Sequence, residues 1–276
     1  MKAKQFFSSL INSNLHAKVQ ITLYKNFANT VFIGKSITYL PSCHSTNSVA
    51  IEMIKGKTAC NGQIIITDNQ FAGNGQVGRS WEAEPGKNLT FSIILFHTSI
   101  LVKNQFDLNM IISLGLLDFL TGLLNARFEI KWPNDILCNN RKVSGILVRN
   151  SVMGNQITDS IIGIGLNVNQ VNFKSPEATS LKLLTARDFQ LRKLIPDLVI
   201  SIENRYLDYV VSGVDKHRID YMDNLYRRGE LHEFQIPTTG LEFKGEIIGV
   251  DQNGRLSVNT GGRIEYFNFN EIKFLL

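Results

Sequence analysis

The hydrophobic periodicity of this chain changes character once, at Arg228–Gly229, and that change limits the fold more than any other feature. Upstream, strand-like runs alternate with helical patterns. Residues 20–40 read as strand-like with a turn near Gly34. Val49–Ile54 reads as a short helix opened by a polar cap of Ser45, Thr46 and Asn47. Gln63–Thr67, with Ile64, Ile65 and Ile66, reads as a buried strand, and Leu89–Phe96 as another. Leu108–Leu124 carries the pattern of a core helix, and Phe128–Trp132 that of a strand. Ile136–Cys138 and Val143–Val148 form a hairpin turning at Asn139–Asn140. Ile157–Val168 is a strand interrupted by Gly163 and Gly165, and Phe189–Val211 a long helix. Downstream there are only short strands, Gly245–Val250, Arg255–Asn259, Arg263–Phe269 and Ile272–Leu276, with turns at Asn253–Gly254 and Gly261–Gly262. The expectation is a mixed α/β domain over 21–228 and a small barrel-like β module over 229–276, after a poorly specified leader at 1–20.

Composition narrows the class. The chain has 276 residues, 43% hydrophobic and 19% charged, which suits one large and one small folded domain and excludes a disordered or fibrous chain. Its three cysteines are odd in number, widely spaced and without a CxxC pair, so neither a disulfide framework nor a zinc site is expected, and a reducing cytoplasm fits. No apolar run approaches the roughly 20 residues that a membrane span needs, and Met1–Ala17 lacks the apolar centre of a signal peptide. The net charge is +5, and no acidic residue precedes Glu52 while Lys2, Lys4, Lys18, Lys25 and Lys35 do. These lysines are scattered and no helix-turn-helix pattern follows them, so the arm reads as a solvated segment, with attraction to polyanions as the second reading.

Two segments carry chemistry. Phe71–Asn88 is aperiodic and rich in glycine, an unusually long loop for the inside of a folded region. Its glycines allow close backbone approach and aim N–H groups at an anion, Arg79 offers charge for a phosphate, and Trp81 a flat face for a ring. Gly73-x-Gly75-x-x-Gly78 matches the dinucleotide pattern formally, but the helix that pattern needs does not follow, and that reading is rejected. In Lys131-Trp132-Pro133-Asn134-Asp135 a lysine closes a strand before an X-Pro break, with two polar side chains beside it. Spacing alone leaves open a strand–turn with a surface lysine.

Taken in order, Ser45-Thr46-Asn47, Gln70 with the glycine-rich loop ending in Trp81, Lys131-Trp132-Pro133-Asn134-Asp135, Arg141-Lys142-Val143-Ser144-Gly145-Ile146-Leu147, and Gly163-x-Gly165-x-Asn167 resemble the biotin–protein ligases from roughly Leu23 to the C-terminus. The resemblance implies an α/β (α+β) domain related to class II aminoacyl-tRNA synthetases, a mixed sheet followed by an SH3-like β-barrel. It implies two steps: biotin and Mg-ATP give biotinyl-5′-adenylate, and a lysine of biotin carboxyl carrier protein then takes the biotin. Lys131 is the implied catalytic residue, contacting the carboxylate and α-phosphate. Ser45, Thr46, Asn47, Gln70, Gly73, Asn74, Gly75, Gln76, Gly163 and Gly165 are implied to bind biotin, and Arg79, Trp81, Asn134 and Asn167 the ATP moiety. Asp135 is the candidate for Mg²⁺.

This chain departs from the family at Asn74, where the usual loop has arginine. Asn74 keeps hydrogen bonding without the cation, which implies weaker hold on the adenylate. The stretch ahead of Ser45 is too short for the winged helix-turn-helix of repressor members, so no DNA binding is expected. No membrane association is expected either, and the protein is read as a monomer or homodimer. The alternatives are a lipoate–protein ligase, which shares the fold but carries a different arginine- and glycine-rich signature with a histidine, and a non-catalytic biotin-binding protein.

Overall fold

The computed structural model describes residue 27 and residues 29–73, 75, 80–97 and 100–275. Strands β1 (Ile37–Cys43), β2 (Ile64–Gln70), β3 (Leu89–Phe96), β4 (Phe128–Lys131), β5 (Asp135–Cys138), β6 (Arg141–Met153) and β7 (Gln156–Leu166) form one seven-stranded sheet in the order β1-β2-β3-β7-β6-β5-β4. Only the β1–β2 pair is parallel. β8 (Leu231–Gln235), β9 (Glu242–Val250), β10 (Leu256–Asn259), β11 (Ile264–Phe267) and β12 (Lys273–Phe274) form a second, antiparallel sheet ordered β11-β10-β9-β8-β12. This is the expected mixed sheet followed by a small all-β module.

The two faces of the large sheet follow from residue alternation. On β3, Phe91, Ile93 and Leu95 point to the main core, while Thr90 and Ser92 point the other way with Ile94. The main core lies between the sheet and two crossed helices, α2 (Gln105–Leu123) and α4 (Leu191–Ser212). α2 is long and apolar enough to span a membrane by composition, but 72% of that stretch is buried inside this fold. The crossing is close because Gly115 lacks a side chain: a Cβ there would lie 2.7 Å from the backbone of Ile202. On the opposite face α1 (Thr46–Lys55) packs near β2, β3 and β7, through Ala50 against Ile65, Ile94 and Ile161.

Two local expectations are corrected. In the described part of 20–40 the turn at Gly34 and the strand from Ile37 are as read, but the residues ahead of that turn form bends instead of a strand. Glu203 of α4, buried at 2% exposure, accepts from the backbone N–H groups of Val31, Phe32 (2.8 Å) and Ile33 (2.7 Å), and so holds three consecutive donors that a strand would spend on a neighbour. The cap of α1 also differs. Ser45 occupies the cap position, but its side chain makes no cap bond. Gln70 supplies it from β2 instead, its Oε1 accepting from the Thr46 N–H at 2.9 Å. The hairpin at Asn139–Asn140 is as read, with both residues at positive φ (51° and 63°). Gly163 and Gly165 do not break the ladder; β7 pairs through both without a register shift there.

The small sheet docks through apolar contacts. The indole N–H of Trp132 donates to the carbonyl of Gly254 at 2.9 Å, and its ring meets Phe269 edge-on at 5.1 Å. Phe106 packs so tightly on the same turn that a Cβ on Gly254 would lie 2.4 Å from its ring.

Candidate active site

Strand register draws the site as a row across the sheet. Lys131 faces Asp135, Asp135 faces Gly145, Gly145 faces Gly165, and Gly165 faces Thr90. Directly opposed residues share a face, and four strand spacings make this row about 19 Å long. One end is cationic, with Lys131 and Lys142. The other is neutral and polar, where α1 meets β3 and Ser92 opposes Gly163. A cavity of about 490 Å³ runs over this row, a volume suited to a small-molecule ligand.

At the neutral end Ser45, Thr46, Asn47 and Gln70 line the cavity, all but Gln70 nearly fully buried. Beneath Asn47 lies Gly163, where a Cβ would sit 2.6 Å from its Oδ1; the glycine is what lets Asn47 settle on the sheet. In the middle, the indole of Trp81 lies across Gly165 and Gly145, and a Cβ on Gly165 would fall 2.2 Å from the ring. The Trp81 N–H is buried without a hydrogen-bond partner among the described residues. Such an orphan donor costs about 1–3 kcal/mol.

At the cationic end Lys131 closes β4, with its Nζ 5.2 Å from the ring centroid of Phe274. Lys142 bonds Asp135 at 2.6 Å and stands 5.6 Å from the Trp81 ring centroid. The Trp132–Pro133 peptide is cis. Asn134, behind it, donates its amide to the Ile146 carbonyl, which ties the motif to β6.

Most of the residues anticipated from sequence therefore meet in one cavity: Ser45, Thr46, Asn47, Gln70, Gly75, Trp81, Lys131, Asn134, Asp135, Gly163 and Gly165. Two stand behind it. Gly73 holds the Trp81 backbone through its carbonyl (2.9 Å), and Asn167 is turned away, its amide donating to the Thr179 carbonyl at 3.0 Å. Asn74, Gln76 and Arg79 lie outside the described residues. Sequence reading did not single out the roles of Lys142, Ser92 and Glu177, nor of Lys273 and Phe274 from the small sheet, which also line the cavity or stand against its wall. Lys142 lay inside a motif already noted; for Phe274, nothing local signals contact with a strand so distant in sequence.

Among the described residues no three His, Cys, Asp or Glu side chains gather as a metal centre. Asp135, the carboxylate proposed for a cation, is bonded to Lys142.

Comparison with known proteins agrees with this geometry. Residues 39–167 match the model of the biotin/lipoate A/B protein ligase family. The bifunctional ligase/repressor BirA of Escherichia coli K12 is 30% identical over 251 residues, covering 84% of this chain and 74% of the relative. The biotin–[acetyl-CoA-carboxylase] ligase of Mycobacterium tuberculosis is 26% identical over 225 residues, covering 79% of this chain and 81% of its own. Among solved structures, the biotin protein ligase of Aquifex aeolicus in complex with biotin and ATP superposes with a TM-score of 0.73 at 23% identity, over 87% of this chain and 99% of that one. A mixed seven-stranded sheet with a small antiparallel sheet docked on it, a cavity joining a neutral polar recess to two lysines, and relatives of this length and identity place the chain in the biotin/lipoate A/B protein ligase family, among the biotin protein ligases.

Proposed function

We propose that this ligase joins biotin to a lysine of a biotin carboxyl carrier protein in two steps at this cavity. In the first, a biotin carboxylate oxygen attacks the α-phosphorus of ATP, the bond to the β-phosphate bridge breaks, and pyrophosphate leaves. In the second, the carrier amine attacks the acyl carbon and AMP leaves. The observation that carries this reading is the cross-sheet row that sets a neutral polar recess at one end and Lys131 at the other.

Ser45, Thr46, Asn47 and Gln70 suit the ureido ring, whose N–H and C=O groups lose water on entry and need partners. Gly163 seats Asn47, and Gly165 and Gly145 seat the Trp81 indole, close against the sheet, which leaves the cavity above them, with Gly75 in its lining, for the ring and chain. Lys131 is placed to stabilise charge where carboxylate and α-phosphate meet, an effect magnified in a partly buried site. The loop residues Asn74, Gln76 and Arg79 are assigned to the covering segment from sequence, Asn134 to holding Lys131 in place, and Asn167 to packing the β7 end near the adenine. Mg²⁺ enters as part of the Mg-ATP substrate, bound mainly by phosphate oxygens, as is common for this cation; Asp135, which lines the cavity and is bonded to Lys142, is the candidate carboxylate for it. The chain needs no nucleophile of its own, since positioning and electrostatics suffice. We assign residues 21–228 to the catalytic domain and 229–276 to the accessory β module. The three free cysteines suit a reducing cytoplasm.

The test is transfer itself. Mixed with biotin, Mg-ATP and a carrier domain, the protein should add one biotin mass to the carrier lysine, and Lys131→Ala should lower the rate by about 10²–10³-fold while leaving the fold intact. Biotin bound without transfer would point to a binding protein, and transfer of lipoate instead to the other branch of the family.

A further inference from the structure

Ser92 stands with its hydroxyl against the wall of the neutral recess, between Thr46 and Asn47. It is fully buried on β3, opposite Gly163, with its Oγ 2.6 Å from Asn47 Oδ1 and 2.7 Å from Thr46 Oγ1. A serine has one proton, and an amide oxygen can only accept. The Ser92 proton therefore goes to Asn47. The contact with Thr46 then requires the Thr46 proton to point at Ser92, since two oxygens at that distance repel without a hydrogen between them. The alternative acceptor for Thr46, Gln70 Oε1, is farther (3.3 Å) and already serves the Thr46 backbone N–H at 2.9 Å.

We infer that Ser92 is a positioning residue that makes Thr46 a dedicated acceptor, so that the recess selects ring N–H donors. With the Thr46 proton held by Ser92, Thr46 Oγ1 has only lone pairs left to offer the cavity. Gln70, its oxygen held by the α1 backbone, offers its amide N–H groups. An acceptor and a donor set side by side match an N–H next to a carbonyl, the pattern of a cyclic urea. This inference rests on the biotin reading and deepens it.

The experiment measures equilibrium binding of biotin, and of biotin methylated at one ureido nitrogen, to the full chain carrying Ser92→Ala, Thr46→Val or both. Binding of biotin by the unmodified chain tests the functional reading separately; its absence would remove that reading and this one with it. Given binding, Ser92→Ala frees the Thr46 proton and should weaken biotin roughly tenfold. It should raise KM for biotin in parallel, with kcat and KM for ATP within about twofold. Preference for biotin over the methylated analogue should shrink with it. In the Thr46→Val background, adding Ser92→Ala should change affinity less than about twofold. Equal losses in both backgrounds, or unaltered affinity in Ser92→Ala, would overturn the inference. If Ser92→Ala does not fold, Thr46→Val alone decides: loss of discrimination against the methylated analogue supports it, and full retention overturns it.

Discussion

Gly165 shows how much of this site depends on what a residue lacks. Its missing Cβ is the space that the Trp81 indole occupies. Gly165→Ala must push the indole off the sheet and strain the backbone bond from Trp81 to the Gly73 carbonyl. Activity should fall at least about tenfold while thermal stability changes by no more than about 1–2 kcal/mol, because the indole is displaced and not cut away. The measurement is steady-state adenylate formation beside a thermal melt; unchanged kinetics would mean that the Trp81–Gly165 contact plays no part in the cycle. Residue identity made part of this legible in the sequence. A glycine inside an apolar strand signals close approach, and the lysine motif signals a ligand at a strand end. Ser92 was illegible because its importance lies in register: only once β3 is set against β7, and α1 laid over both, does one serine among many acquire two partners.

At the scale of elements, runs rich in β-branched and aromatic residues declared themselves. Ile64–Gln70 and Leu89–Phe96 formed strands, and the apolar periodicity of Gln105–Leu123 formed the core helix. The failures have physical causes. The segment before β1 folds as turns because Glu203, some 170 positions away, captures its N–H groups. α5 (Asp215–Asp223) is mostly polar and shows no amphipathic stripe that would reveal it. It is held by Tyr221, buried in the main core, and by polar bonds from Asp220 to Arg205 and from Arg218 to the Asp251 carbonyl. α3 (Leu181–Thr185) is too short to show a period. The Glu203 contact carries its own prediction. Glu203→Ala removes the acceptor of three donors, that of Ile33 fully buried, and should lower unfolding free energy by about 2–4 kcal/mol, read by urea denaturation. A loss below about 1 kcal/mol would mean that water replaces the carboxylate without strain.

The main apolar core is shared by the two sheets, and stability should respond to acid in part through the half-buried imidazole of His97. His97 accepts from the Tyr206 hydroxyl and contacts Ser160 at 2.8 Å, and burial pushes its pKa down to about 4 against the ordinary 6.5. Between those values the unfolded chain binds a proton that the folded chain refuses, so this residue's contribution falls as pH drops from 6.5 towards 4 and levels off below. His97→Gln should flatten the loss of denaturation midpoint over that window; an identical slope in the variant would assign the acid sensitivity to other groups. The seam between the sheets has a broader consequence. Trp132 fastens the small sheet at Gly254, and Phe274 stands over Lys131, so one wall of the cavity exists only while the two sheets are docked. Occupancy and docking are then linked, and ligand at 100 times its Kd adds up to about 2.7 kcal/mol against undocking. A well-supplied molecule is mortared shut and a starved one opens at the joint, so the lifetime of this chain among proteases becomes a running record of how much vitamin and nucleotide surround it.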